Sequence, residues 1–174
     1  FPRGVVAPMK PPPFRYHDPA TVEEAVGLLG RLENARLLAG GQSLMPMLNM
    51  RFVLPDHLID LARVQSLRGI DLDADRARIG AMTVQRDLEH DAGLAARLPL
   101  VADALRWVGH RQTRNRGTLG GSLCHLDPAA ELPAVCAALD AVVRVRGPAG
   151  EREVAFADFP LGYMTPAIEP DEML

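Results

Sequence analysis

Two glycine pairs constrain this chain more than any other feature. Residues 37–43, LLAGGQS, carry a short apolar run into Gly40 and Gly41 and end in a serine. Residues 118–122, TLGGS, repeat the idea later. Glycine tolerates φ > 0 and lets a backbone or ligand approach with no Cβ in the way. Successive N–H groups in such turns converge on an anion, and the first N–H groups of a following helix reinforce them. A serine hydroxyl supplies another donor. Hydrogen bonds to a charged group contribute roughly 1.5–3 kcal/mol each. Two such loops could grip a diphosphate from two sides without a lysine, and Lys10 is the only lysine among 19 basic residues. On this reading a side chain added at Gly41 or Gly120 expels the ligand and spares the fold. Neither pair matches the GxGxxG or Walker pattern, and a lone Gly-Gly is usually only a turn, so spacing alone leaves both readings open.

The flanking sequence alternates helices and strands. FRYHDPATVEEAVGLLGRL opens as a strand and continues as a helix, with Thr21 and Glu24 in a capping box and Val22, Val26, Leu29 and Leu32 at helical spacing. ARLLAGG reads as a short buried strand. SLMPMLNMRF is interrupted by Pro46 and reads as a loop or single turn; PDHLIDL is the next strand. These make a small βαββ lobe over about residues 9–61. A larger lobe with a mixed or antiparallel sheet and helices follows over about 62–174. In it LRGIDLD and ARIGAM are short strands, Thr83 caps the helix VQRDLEH, and Pro99 sits early in a helix reaching Trp107. Another helix starts at Asp127 or after Glu131, and AVVRVRG and EREVAF alternate around GPAG as a hairpin. The fold class is α+β.

With 174 residues, 48% of them hydrophobic, the chain can bury a real core. A net charge of −3 without aromatic residues interleaved among the basic ones argues against nucleic acid. Two cysteines with no CxxC spacing leave no zinc or iron–sulfur motif in this chain. No apolar run approaches the roughly 18–20 residues of a membrane span. Residues 1–8 are expected to be upstream or cloning-derived sequence ahead of a natural start at Met9, and the expected location is cytoplasmic.

Four stretches, in order and spacing, resemble one family: LLAGGQSLMPMLNMRF with HLIDL, RIGAMT, RNRGTLGGSLCHLDPAAELPA, and PDEML. It is the FAD-binding medium (M) subunit of molybdenum hydroxylases, the carbon monoxide dehydrogenase and xanthine dehydrogenase family. The resemblance runs from Met9 onward and implies a PCMH-type FAD-binding domain. It puts the first FAD-binding stretch on Leu37, Leu38, Ala39, Gly40, Gly41, Gln42, Ser43 and Leu44, with residues 39–43 at the pyrophosphate. The second falls on Thr118, Leu119, Gly120, Gly121 and Ser122. Glu131 stands where the family has an aspartate for FAD hydroxyls, one methylene longer. Residues 79–83 correspond to a segment against the flavin ring, and Leu174 to a leucine packing on it. Val108 replaces an aromatic residue found near the flavin in xanthine dehydrogenases. The family's smaller C-terminal domain is expected to be absent.

The resemblance implies an oxidoreductase subunit for electron transfer. It would pass electrons from [2Fe–2S] clusters of a small partner subunit, through FAD, to an external acceptor, while a large molybdopterin-binding subunit oxidises the substrate. Molybdenum cofactor and clusters belong to those partners, and no catalytic residue or metal ligand is assigned here. The alternative is an assembly module or isolated fragment that binds FAD weakly. Arg106, His110, Arg111, Arg114 and Arg116 form a basic stretch read as an anion contact, a docking face or a solvated loop. Cys124 reads as a packing residue beside the cofactor, Met45, Met47 and Met50 as adaptable packing, and Trp107 as core or interface.

Overall fold

In a computed structural model, which describes residues 9–174, the chain opens with three parallel strands. The expectation for residues 1–8 lies outside the described residues. The first strand β1 (Arg15–His17) leads into helix α1 (Val22–Leu29), then β2 (Ala35–Leu38), α2 (Leu44–Asn49) and β3 (His57–Asp60). β3 lies between the other two, pairing Tyr16 and Arg36 with Leu58. Thr21 starts α1 by accepting the Glu24 N–H through its Oγ1 at 3.1 Å. Glu24 reaches back to the Ala20 N–H at 2.7 Å, one residue earlier than an ideal capping box. The helix buries Ala25, Val26 and Leu29 against Ala35 and Ile59.

α2 corrects the expectation of a loop or single turn. Pro46 is its third residue, in the first turn, where a missing N–H removes no intrahelical bond. The proline therefore permits the helix it was read as breaking.

The rest pairs off locally. Strands β4 (Ile70–Leu72) and β5 (Ala77–Ile79) form one antiparallel pair. Helices α3 (Gln85–His90), α4 (Ala92–Arg97), α5 (Pro99–Leu105), α6 (Arg111–Arg114), α7 (Leu119–His125) and α8 (Glu131–Ala138) follow. The expected hairpin is β6 (Val142–Gly147) against β7 (Gly150–Ala155), and β8 (Pro160–Gly162) with β9 (Thr165–Pro166) closes the series. Pro99 occupies the first turn of α5 as expected. α8 begins at Glu131 with Pro133 in its first turn, which selects the later of the two starts. Asp127 instead accepts the Ala129 N–H at 2.9 Å in a local turn.

Thr83 does not cap α3. Val84 holds the N-cap position, and the Thr83 Oγ1 exchanges two 3.0 Å hydrogen bonds with the Gly69 backbone. A hydroxyl with a buried backbone partner on another segment satisfies that segment, and the helix starts one residue later.

Three apolar clusters hold these elements together. The first joins α1 and the parallel sheet to Leu61, Val64, Met82 and Met173. The second packs Leu88, Leu94, Val101, Leu105, Leu132 and Val135 between the helices. The third packs Leu123 and Leu126 against Val143, Val145, Phe156 and Phe159. Fully burying such a side chain contributes about 1.5–3 kcal/mol. Met173 shows how the end of the described chain is fixed. Its backbone exchanges hydrogen bonds of 2.7 and 2.8 Å with Arg146, its side chain enters the first cluster, and Leu174 beside it joins the third. Arg152 holds the neighbouring Glu172 through Nε at 2.8 Å. That hydrogen bond keeps the Glu172 carboxyl below its ordinary range, against the opposing effect of partial burial. A lowered folded-state pKa stabilises the fold above the unfolded value, and the contribution disappears as pH falls through the folded one. Glu172→Gln in the full-length protein should lower Tm by about 3 °C at neutral pH, with the gap closing below about pH 4. Melting curves for both proteins across that range check this, and a gap undiminished in acid would contradict it.

Candidate functional site

The first glycine pair ends strand β2. Gly41 has φ +72°, a left-handed conformation that glycine adopts without strain. The chain then turns into α2 with Ser43 at the N-cap position. The Gln42 Nε2 donates to the Gly40 carbonyl at 3.1 Å and braces the turn. Among the described residues, the N–H groups of Gly40, Gly41, Gln42, Ser43 and Leu44 donate to no protein acceptor, and the Ser43 hydroxyl has no protein partner. This is a run of half-exposed, unused donors at one turn. α2 is only six residues long, so the individual N–H groups, more than a long helix dipole, make the turn electropositive.

The second pair is built differently. Gly120 N–H donates to the Ala81 carbonyl at 2.8 Å and Leu119 N–H to that of Thr83 at 3.1 Å. Gly121 N–H donates to the Thr118 Oγ1 at 3.1 Å, capping α7, and Ser122 N–H to the Thr118 carbonyl at 3.1 Å. The donors of this loop are therefore already engaged within the protein, contrary to the expectation that both loops present free N–H groups. The Ser122 hydroxyl remains without a protein partner among the described residues. Gly120 serves close packing: a Cβ there would lie 2.7 Å from the Ala81 Cβ and 2.8 Å from its carbonyl oxygen. The expectation that a side chain at Gly120 spares the fold is thus corrected.

The two loops touch. A Cβ on Gly40 would collide with the Arg116 carbonyl and lie 2.8 Å from the Gly117 Cα. A Cβ on Gly121 would lie 3.5 Å from that of Ala39. Glycine at position 40 lets one backbone lie directly on the other, so the second loop forms a wall beside the turn that carries the free donors.

A third strand of chain, read only in part from the sequence, supports that wall. Residues 81–85 run antiparallel to 117–120, with a bridge between Val84 and Thr118 and a 2.8 Å bond from Gln85 N–H to the Gly117 carbonyl. Gln85 is 5% exposed, and its Oε1 lies under Gly117 with no hydrogen-bond partner among the described residues. For this segment the sequence offers RIGAMT and a helix start at Thr83, and it offers Gly117 as part of RNRGTLGGS; no local signal announces the pairing of the two segments or the burial of Gln85.

The remaining site candidates fall around this junction. Leu37 and Leu38 end β2, and Leu37 packs with Ala39 on the first cluster. Leu44 opens α2. Leu119 joins the second and third clusters, and Leu174 the third. Glu131 opens α8 half-buried, and α8 packs against α7. The basic stretch divides: Arg106 meets Asp103 at an exposed 3.6 Å pair, His110, Arg111 and Arg116 are exposed, and Arg114 is mostly buried. Cys124 presents exposed surface, yet burial around its thiol pushes the pKa up to about 12, and its neighbours Leu123 and Leu126 pack in the third cluster. Trp107 is 78% exposed and lies outside the core.

Comparison with known proteins places this arrangement. The family model described as "FAD binding domain in molybdopterin dehydrogenase" matches residues 12–174. The carbon monoxide dehydrogenase medium chain of Hydrogenophaga pseudoflava is 46% identical over 167 residues, covering 95% of this chain and 58% of that protein. The nicotine 6-hydroxylase medium subunit of Paenarthrobacter nicotinovorans is 41% identical over 167 residues, covering 95% of this chain and 59% of its own length. Among solved structures, carbon monoxide dehydrogenase from H. pseudoflava superposes with a TM-score of 0.92 at 46% identity, over 94% of this chain and 57% of that one. Quinoline 2-oxidoreductase from Pseudomonas putida 86 gives the same TM-score at 39% identity, over 94% and 57%. The chain thus spans less than two thirds of the length of these relatives.

Two glycine-to-alanine changes separate packing from backbone conformation. Gly40→Ala forces its Cβ into backbone and should lower Tm strongly, by an amount comparable to overpacking a core at about 1–3 kcal/mol. Gly41→Ala meets only the ends of two side chains, Met45 at 3.2 Å and Leu38 at 3.4 Å, and should cost about 1 kcal/mol for its positive φ. Thermal melts of both check the order, and a larger loss for Gly41→Ala would contradict the reading.

Proposed function

Because this chain belongs to the family of FAD-binding domains in molybdopterin dehydrogenases, we propose that it is the FAD-binding part of an electron-transfer subunit in a molybdenum hydroxylase. The observation that carries this is the run of unused N–H groups on residues 40–44, seated against the engaged second loop. That donor set fits a diphosphate. It offers consecutive N–H groups and two hydroxyls, a positive φ at Gly41, and no side chain to block approach at Gly40 or Gly41.

In this proposal Ala39, Gly40, Gly41, Gln42 and Ser43 hold the pyrophosphate, with Ser122 adding a hydroxyl from the facing wall. Leu37, Leu38 and Leu44 shape the approach to that turn. Thr118, Leu119, Gly120 and Gly121 form the wall itself, and Glu131 meets FAD hydroxyls. Leu174, pinned by its neighbour Met173, packs on the flavin. Flavin supplies reversible one- and two-electron chemistry when bound; the chain binds, orients and shields it. No side chain here is required as a general acid or base.

The medium-chain names of the relatives support a multi-subunit setting. The proposed partners are a large molybdopterin-binding subunit, which selects the substrate, and a small subunit with [2Fe–2S] clusters as the electron source. An external acceptor takes the electrons onward. No helix among the described residues is long and apolar enough to cross a membrane, and the proposed location is the cytoplasm.

Titration of the full-length, flavin-stripped protein with FAD, followed by flavin fluorescence, tests the reading. Wild type should bind with restored yellow colour. Gly41→Val should lose affinity by roughly a hundredfold, the equivalent of one or two lost charge-assisted hydrogen bonds, while remaining folded by circular dichroism. Unchanged affinity in a folded Gly41→Val protein would contradict the proposed site.

A further inference from the structure

One ion pair differs from the others. The Arg114 and Glu89 side chains are 12% and 14% exposed, and every other salt bridge among the described residues has at least one partner exposed by 32% or more. Arg114 Nε and Nη2 donate to the two Glu89 carboxylate oxygens at 3.0 and 3.3 Å. Its Nη1 donates to the Val108 carbonyl at 2.9 Å and the Gly109 carbonyl at 3.2 Å. One guanidinium thus ties α3 to both ends of the turn formed by residues 108–114. A planar fork does this with little freedom left, which a lysine could not do.

The path from this pair to the glycine wall is short. Arg114 ends α6, and the Arg116 and Gly117 N–H groups both bond back to the Thr113 carbonyl, at 3.1 and 2.7 Å. Arg116 and Gly117 are the residues on which Gly40 rests. α3 itself starts from the segment that pairs with residues 117–120. Both ends of the wall are therefore referred to the same helix, one by backbone pairing and the other by Arg114.

Resting on the FAD reading above, we infer that Arg114 is a positioning residue: its clasp on Glu89 and on the Val108 and Gly109 carbonyls sets Arg116 and Gly117 where the first loop can present its donors to the FAD diphosphate. Surface pairs of this chain, such as Arg106 with Asp103, have no such consequence.

The test uses the full-length protein with Arg114→Gln, Arg114→Lys, Glu89→Gln and the Arg114→Gln/Glu89→Gln double variant. FAD affinity is measured well below each Tm and corrected for the folded fraction, and the visible absorption band of bound flavin is recorded. Arg114→Gln should raise the FAD Kd about tenfold and alter the band shape, because the loop shifts without unfolding. Arg114→Lys should recover only part of the affinity. The double variant should be no worse than Arg114→Gln, since the two changes break one clasp. Glu89→Gln keeps the isosteric shape and should give the same direction of change if Arg114→Gln does not fold. A fall in Tm with unchanged Kd and band shape in folded variants would overturn the inference and leave the clasp a purely structural tie. Wild type that takes up no FAD would overturn the FAD reading itself, and this inference with it.

Discussion

The closest backbone approach at the glycine junction organises this structure. Gly40 lies flat on the Arg116 carbonyl and the Gly117 Cα, in a gap where any Cβ would collide. From that contact follow the facing of the two loops, the exposure of one set of N–H groups and the burial of the other. It also explains why the parallel sheet cannot be considered apart from the later helices. Met82 and Met173, distant in sequence, complete the first apolar cluster with α1, β2 and β3.

The division of labour between the loops is the main physical result. A backbone N–H without a partner is costly when buried and useful when a ligand can reach it. The first loop keeps five such groups at residues 40–44, four of them on half-buried residues and one on the exposed Gln42. The second uses its own in bonds to Ala81, Thr83 and Thr118, which buys rigidity. A rigid wall opposite a set of preset donors is a preorganised anion site, and preorganisation reduces the ordering that binding would otherwise demand. It needs no lysine, in keeping with a chain whose only lysine is Lys10.

Much of this was legible in the sequence, for identifiable reasons. Helical spacing and the Thr21 hydroxyl placed α1, and strict alternation placed the β6–β7 hairpin, because local chemistry decides both. Two readings missed where long-range contacts decided. Thr83 was drawn to the Gly69 backbone, which no local pattern announces. The second glycine pair looked like the first, yet its Gly120 N–H meets the Ala81 carbonyl, nearly forty residues upstream in the chain, and its Gly121 N–H meets the Thr118 hydroxyl. Pro46 misled because position within a helix, more than residue type, decides whether proline is tolerated. Gln85, Glu89 and the clasp role of Arg114 were invisible, since each depends on a partner that only the fold brings near.

Amide hydrogen exchange on the full-length protein, with and without FAD, tests the central claim most directly. Residues 40–44 should exchange quickly without flavin and become protected when it binds, while residues 119–122 should be protected in both states. Protection gained at 119–122 with no change at 40–44 would contradict the account.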